Sequence, residues 1–111
     1  MSTISIAPSY KVNHVEVVIE TNEVLARVFT LAPGEKIPWH FHRASTDHYF
    51  VLSGVLTATT DHPFLKTVLG QGERWKVAPG TQHQVMNEAS EPLSFLLLQG
   101  TAGYDWIKVE R

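Results

Sequence analysis

The sequence predicts an all-β sandwich or barrel. Three observations carry this reading. No segment sustains the 3.6-residue apolar period of an amphipathic helix. Short runs rich in Val, Ile, Leu, Phe and Thr recur along the chain. Turn-forming combinations of Gly, Pro, Asn, Asp and Ser separate most of them.

Taken in order, residues 15–20 and 24–31 are β-branched runs split by the turn-like Thr21-Asn22-Glu23. Pro33-Gly34 and Pro38 punctuate the approach to His40-Phe41-His42. Residues 48–52 make a dense apolar-aromatic strand ending at Ser53-Gly54, and residues 55–60 follow at once. Asp61-His62-Pro63 turns the chain into residues 64–69, and Gly70-Gln71-Gly72 turns it into residues 73–77. Ala78-Pro79-Gly80-Thr81 leads to residues 83–88, and Ala89-Ser90-Glu91-Pro92 to residues 93–99. Beyond Gly100, Tyr104, Trp106, Ile107 and Val109 suit one further strand. Short strands with regular turns point to a sandwich or barrel, with helix confined to a turn or two. No repeat or linker divides the chain, so residues 1–111 read as one domain.

Period-two alternation assigns faces. With His40 and His42 inward, Trp39 and Phe41 face out. His83, Val85 and Asn87 share the inner face, as do Asp47, Tyr49 and Val51. His48, Phe50 and Leu52 occupy the opposite side of their strand. Both of that strand's faces are apolar, so cover is expected on both. A partner subunit is the simplest outer cover.

The histidines are the candidate chemistry. Residues two apart on a strand project to one side, with about 6.6 Å of rise between them. His40 and His42 can therefore converge on one ion at a metal–nitrogen distance of about 2.0–2.1 Å. His83, arriving from another strand, is the third expected ligand. Neutral imidazole suits Fe, Ni, Cu and Zn, and an oxygen ligand such as Asp47 moves the preference towards Mn or Fe. The expected cofactor is one divalent transition ion, iron first, with Mn, Ni, Zn and Cu as the other choices.

Two blocks frame these residues: Gly34-x5-His40-x-His42-x4-Asp47-x6-Gly54 and Gly72-x5-Ala78-x-Gly80-x2-His83-x3-Asn87. They resemble the first and second motifs of the cupins, small double-stranded β-helix (jelly-roll) barrels that hold a metal near the mouth. Asp47 departs from the pattern, which usually has glutamate there, and the proline of the second motif comes one place late, as Pro79. The resemblance implies the fold, the metal and, because small cupins commonly dimerise, a homodimer. Three-histidine iron sites resemble those of diketone-cleaving, gentisate and thiol dioxygenases. A ligating Asp47 would resemble the oxalate and quercetin branch. The reaction is implied only loosely, because one fold hosts many chemistries.

Asp47 is thus read in three ways: as a cap on backbone donors of residues 43–46, as a fourth ligand, or as a support that orients a ligand histidine or bound water. The last is favoured over ligation because its side chain is one methylene shorter than glutamate. Tyr49 is the other inward candidate for acid–base work, though packing is its simpler role, as for Trp75. Arg27 could grip a substrate carboxylate inside the barrel, but a surface or interface position is expected of it. His14 and His62 are expected in solvent, and Asn87 as a strand-end hydrogen-bonding residue.

Composition narrows the classes. A formal charge of −2 and the lack of a Lys/Arg cluster argue against nucleic acid. There is no cysteine, which removes disulfides and thiolate ligands. No apolar run is long enough for a membrane, and no leader pattern is seen near Met1, so a cytoplasmic protein acting on a small molecule is expected. With Fe(II), the expected reaction is dioxygenase-type attack on a chelating, oxygen-rich substrate. A redox-neutral lyase or isomerase and a non-catalytic binding or sensing module are the alternatives.

Overall fold

The computed structural model describes residues 12–100 and 105–110 and contains ten strands and no helix among them. The strands are β1 His14–Glu20, β2 Val24–Leu31, β3 Lys36–Phe41, β4 Asp47–Ser53 and β5 Leu56–Thr60. They continue as β6 Leu65–Leu69, β7 Arg74–Val77, β8 His83–Met86, β9 Leu93–Gly100 and β10 Ile107–Lys108. Two antiparallel five-stranded sheets result, ordered β1-β2-β9-β4-β7 and β10-β3-β8-β5-β6. From β2 onward the chain changes sheet at every connection except the β5–β6 hairpin, which is the winding of a double-stranded β-helix.

The alternation that sets this winding is strict where the core is thickest. Along β9, Leu93, Phe95, Leu97 and Gln99 are buried while Ser94, Leu96 and Leu98 are half-exposed. Phe29 on β2 faces Phe95 across the ladder, and their rings stack with centroids 5.3 Å apart. Ile37, Leu56, Ala58 and Val85 close the core from the second sheet. Burying each large apolar side chain contributes about 1.5–3 kcal/mol. Asn87 ends β8 by donating its Nδ2 to the carbonyls of Leu31 and Glu91, 3.0 and 2.8 Å away. Gly54 turns the chain out of β4 at φ +85°, where a Cβ would lie 2.5 Å from the Pro92 carbonyl oxygen.

Two expectations need correction. Arg27 is neither at the surface nor at an edge: it is 3% exposed, on the inner face of β2 with Leu25 and Phe29. It tolerates that position because Gln99 accepts a hydrogen bond from it. The further strand exists but is shorter than its apolar pattern suggests. Trp106 precedes β10, Val109 follows it, and Tyr104 lies outside the described residues. As the alternation anticipated, the outer side of β4 is left uncovered among the described residues: Phe50 is half-exposed and Leu52 is 46% exposed.

Candidate metal centre

His40 lies on β3, His42 follows that strand directly, and His83 opens β8 opposite His40 in the ladder. Each ring is turned by a backbone carbonyl. His40 Nδ1 donates to the Pro38 carbonyl at 2.7 Å and His83 Nδ1 to the Thr81 carbonyl at 2.8 Å. His42 Nδ1 donates to the carbonyl of Asp105. A carbonyl can only accept, so each Nδ1 carries a proton, and Nε2 is the atom that binds an ion once any proton on it is lost. Gly80 N donates to the His42 carbonyl at 2.7 Å, tying the turn before β8 to the end of β3.

The fourth side chain comes from the other sheet. Asp47, the first residue of β4, is fully buried, and its Oδ2 lies 3.1 Å from His42 Nε2 and 3.2 Å from His83 Nε2. Its side chain does not cap the 43–46 backbone: the Tyr49 hydroxyl donates to Oδ2 at 3.1 Å and Gln99 Nε2 donates to Oδ1 at 2.8 Å. One donor atom from each of His40, His42, Asp47 and His83 falls within a set whose members all lie within 4.8 Å of one another. All four residues are at most 3% exposed.

This donor set suits a divalent transition ion. Ligands in adjacent positions at about 2.1 Å from an octahedral ion lie about 3.0 Å apart, close to the two Asp47–histidine separations. Three imidazoles with one carboxylate also form an intermediate-to-hard set appropriate to first-row ions. Electrostatics agree. Burial and the neighbouring His83 push the His40 pKa down to about 3, keeping that ring neutral and ready to ligate. Burial opposes charge on His42, but its hydrogen bond to Asp47 and the carboxylate's charge outweigh this and raise its pKa. Burial likewise works against an Asp47 carboxylate, yet hydrogen bonds from His42 and His83 hold it well below the usual carboxylate range.

Aromatic side chains line the centre. The Trp106 ring stacks on His40 with centroids 5.0 Å apart, and Trp75 meets His83 edge-on at 6.2 Å. Tyr49 packs between Trp75 and Phe95. The segment bearing Trp106 is held by Asp105, whose carboxylate accepts from Arg43 N at 3.0 Å and Arg43 Nε at 2.5 Å. His14 and His62 are exposed and His48 lies on the outer side of β4, all away from the centre. Sequence reasoning missed Gln99, Asp105 and the place of Trp106. Gln99 left a signal, as a polar residue in phase with Leu93, Phe95 and Leu97.

The family model of the cupin domain matches residues 27–99. No curated protein matches the chain. Among solved structures, an uncharacterized conserved protein with a double-stranded β-helix domain from Klebsiella pneumoniae subsp. pneumoniae is 27% identical, with a TM-score of 0.79. That match covers 96% of this chain and 91% of the other. A protein of Thermus thermophilus is 23% identical over 78% of this chain and 81% of its own, with a TM-score of 0.73. Oxalate decarboxylase of Bacillus subtilis, studied for its Mn(II) centres, is 22% identical with a TM-score of 0.71. It matches over 78% of this chain but 24% of its own, and so shares the fold. No helix among the described residues is long and apolar enough to cross a membrane.

Proposed function

The chain belongs to the cupin domain family, and from that premise we propose that it is a metal-dependent enzyme acting on a small, oxygen-rich chelating anion. His40, His42, His83 and Asp47 would hold the ion. The observation that carries this reading is the position of Asp47 Oδ2, 3.1 and 3.2 Å from two imidazole nitrogens. It favours ligation over the supporting role that the short side chain suggested. The carboxylate lowers the centre's charge to +1 and, with the three imidazoles, favours Mn or Fe. On a six-coordinate ion about two positions then remain, which suits an enolate, hydroxy acid or dicarboxylate binding through two oxygens.

When bound, the ion supplies Lewis acidity and, if Mn or Fe, a redox centre. The chain's own residues do the rest. The three backbone-bonded imidazoles fix the donor directions. The Tyr49 hydroxyl, its oxygen 3.1 Å from Asp47 Oδ2, donates its proton to that carboxylate and would stabilise its charge or serve as a proton source beside the four donor residues. Trp106 and Trp75 exclude water from His40 and His83. The test is metal analysis of protein purified without added metals. It is followed by oxygen uptake and product analysis of the Mn(II)- and Fe(II)-loaded forms with 1,3-diketones, catechols, thiols, hydroxy acids and dicarboxylates. Turnover in air supports oxidative chemistry, and equal turnover without oxygen supports a lyase or isomerase. A non-catalytic binding role is favoured by one observation, the near-complete burial of the four side chains, and tight binding without turnover would establish it.

The partner we propose is a second copy. One row across the outer face of the first sheet runs Glu16, Val28, Leu96, Phe50, Arg74, each beside the next in the ladder. Its middle is apolar and its ends carry opposite charges. A two-fold axis parallel to the strands would bury the apolar middle and set Glu16 of one copy against the partner's Arg74.

A further inference from the structure

Asp47 is held from behind by a line of buried polar groups that crosses three neighbouring strands. Gln99 on β9 is directly opposite Asp47 in the ladder, and Arg27 on β2 is diagonal to Gln99, opposite Leu97. Arg27 Nη2 donates to Gln99 Oε1 at 2.7 Å, and Gln99 Nε2 donates to Asp47 Oδ1 at 2.8 Å. Arg27 and Gln99 are 3% and 1% exposed. The guanidinium also lies over the Phe29 ring, 5.1 Å from its centroid. The amide's orientation is dictated by its neighbours: reversed, its NH2 would face a guanidinium and its oxygen a carboxylate.

From this arrangement we infer that Arg27 and Gln99 are positioning residues that make Asp47 a one-oxygen ligand and thereby keep a second substrate position open on the ion. The inference rests on Asp47 ligating, as proposed above. A free carboxylate can bind an ion through one oxygen or two. Here Oδ1 is engaged by Gln99 on the side away from the imidazoles, while Oδ2 faces His42 and His83. Swinging Oδ1 onto the ion would break a buried hydrogen bond and leave the Gln99 amide unsatisfied, the costly outcome for a buried donor. Arg27 makes that cost higher by fixing the amide that must let go. Its hydrogen bond to the amide oxygen polarises the NH2 group that grips Oδ1, so its charge is relayed to Asp47 through the amide dipole. The consequence is a centre suited to a substrate that chelates through two oxygens rather than one that binds through a single atom.

The test uses Mn(II) as the ion and oxalate as a bidentate probe. Wild type, Gln99→Leu and the double variant Arg27→Met/Gln99→Leu, which leaves no buried cation without its acceptor, are titrated with Mn(II). Electron paramagnetic resonance is recorded, and the loaded proteins are then titrated with oxalate. The inference expects all three to bind one Mn(II) per chain, with an altered Mn(II) spectrum in both variants. Oxalate affinity should fall about tenfold or more in the variants, the scale seen when outer partners of metal ligands are removed. Unchanged spectra and unchanged oxalate affinity would overturn it. So would folded variants that lose Mn(II) altogether, since the pair would then assemble the site rather than set its denticity. Wild type that takes up Mn(II) but not oxalate also overturns it. Failure of wild type to bind Mn(II), Fe(II) or any related ion would instead overturn the metal reading from which it starts.

Discussion

The two sheets build their halves of the centre by different means. The second sheet offers imidazoles held by nearby backbone: His40 bonds the carbonyl of Pro38 and His83 that of Thr81, each two residues earlier. The first sheet offers Asp47, held by side chains, among them Gln99, 52 residues further along the chain. Backbone support from close in sequence survives many substitutions. Side-chain support from afar depends on particular residues and on strand register. His40 and His83 are therefore robust to change in their surroundings, whereas Asp47, and His42 through the distant carbonyl of Asp105, are tunable through them.

The largest expected effect comes from removing a histidine. His83→Ala should lower metal affinity by more than the roughly 10–100-fold typical of losing an outer partner, while His62→Ala should leave it unchanged. Isothermal titration with Mn(II) or Fe(II) measures both, and equal affinities would break the distinction between ring and surroundings. Asp47→Asn comes next: it keeps the shape and removes the charge, and as the loss of a ligand it should weaken binding by about 100-fold or more, beyond the range of an outer partner. A loss well inside that range would return Asp47 to a supporting role.

Acidity sharpens the same contrast. Between pH about 3 and 6.5 the unfolded chain protonates residue 40 while the folded chain does not, so metal-free stability should fall as pH drops through that window. The depressed Asp47 acts in the same direction below its ordinary value of 3.8. The raised His42 acts oppositely: its contribution is present below 6.5 and lost as pH rises through its folded value. Urea titrations of the metal-free protein should show maximal stability close to the ordinary histidine range. Metal affinity should instead keep rising with pH, because His42 must lose its proton to ligate.

The smallest effect concerns the outer face of the first sheet. Sedimentation at micromolar concentration should give twice the 12.4 kDa chain mass. Arg74→Glu should weaken the dimer by about 1 kcal/mol or less, the range of exposed ion pairs, and adding Glu16→Arg should restore it. A monomeric wild type would leave Phe50 and Leu52 needing another cover.

What the sequence discloses follows the same division. His40, His42 and His83 can be read because their spacing and flanking turns are local. The fold is implied by the resemblance of the two motifs, and β4's inner face by its alternation. Arg27 reads as a surface residue because a charged residue in an alternating strand is ordinarily solvated, and its acceptor Gln99 lies 72 residues away. The role of Asp47 stays divided for the same reason, since its partners Tyr49, Gln99, His42 and His83 converge from several strands. The part played by Asp105 and Trp106 requires the β10–β3 pairing, which a two-residue strand scarcely signals.

Gly54 gives that long-range support an unexpected custodian. It stands at the far end of β4 from Asp47, where its missing Cβ lets the chain pass beside Pro92 and enter the pairing with β9. Any side chain there must overcome an unfavourable φ costing about 1–3 kcal/mol as well as a collision with backbone. Escape by sliding one residue would invert β4, exporting Asp47 and Tyr49 to solvent and importing His48 and Phe50. A change in a turn some seven residues from the nearest donor atom would then present itself in an assay as a protein that had forgotten its metal.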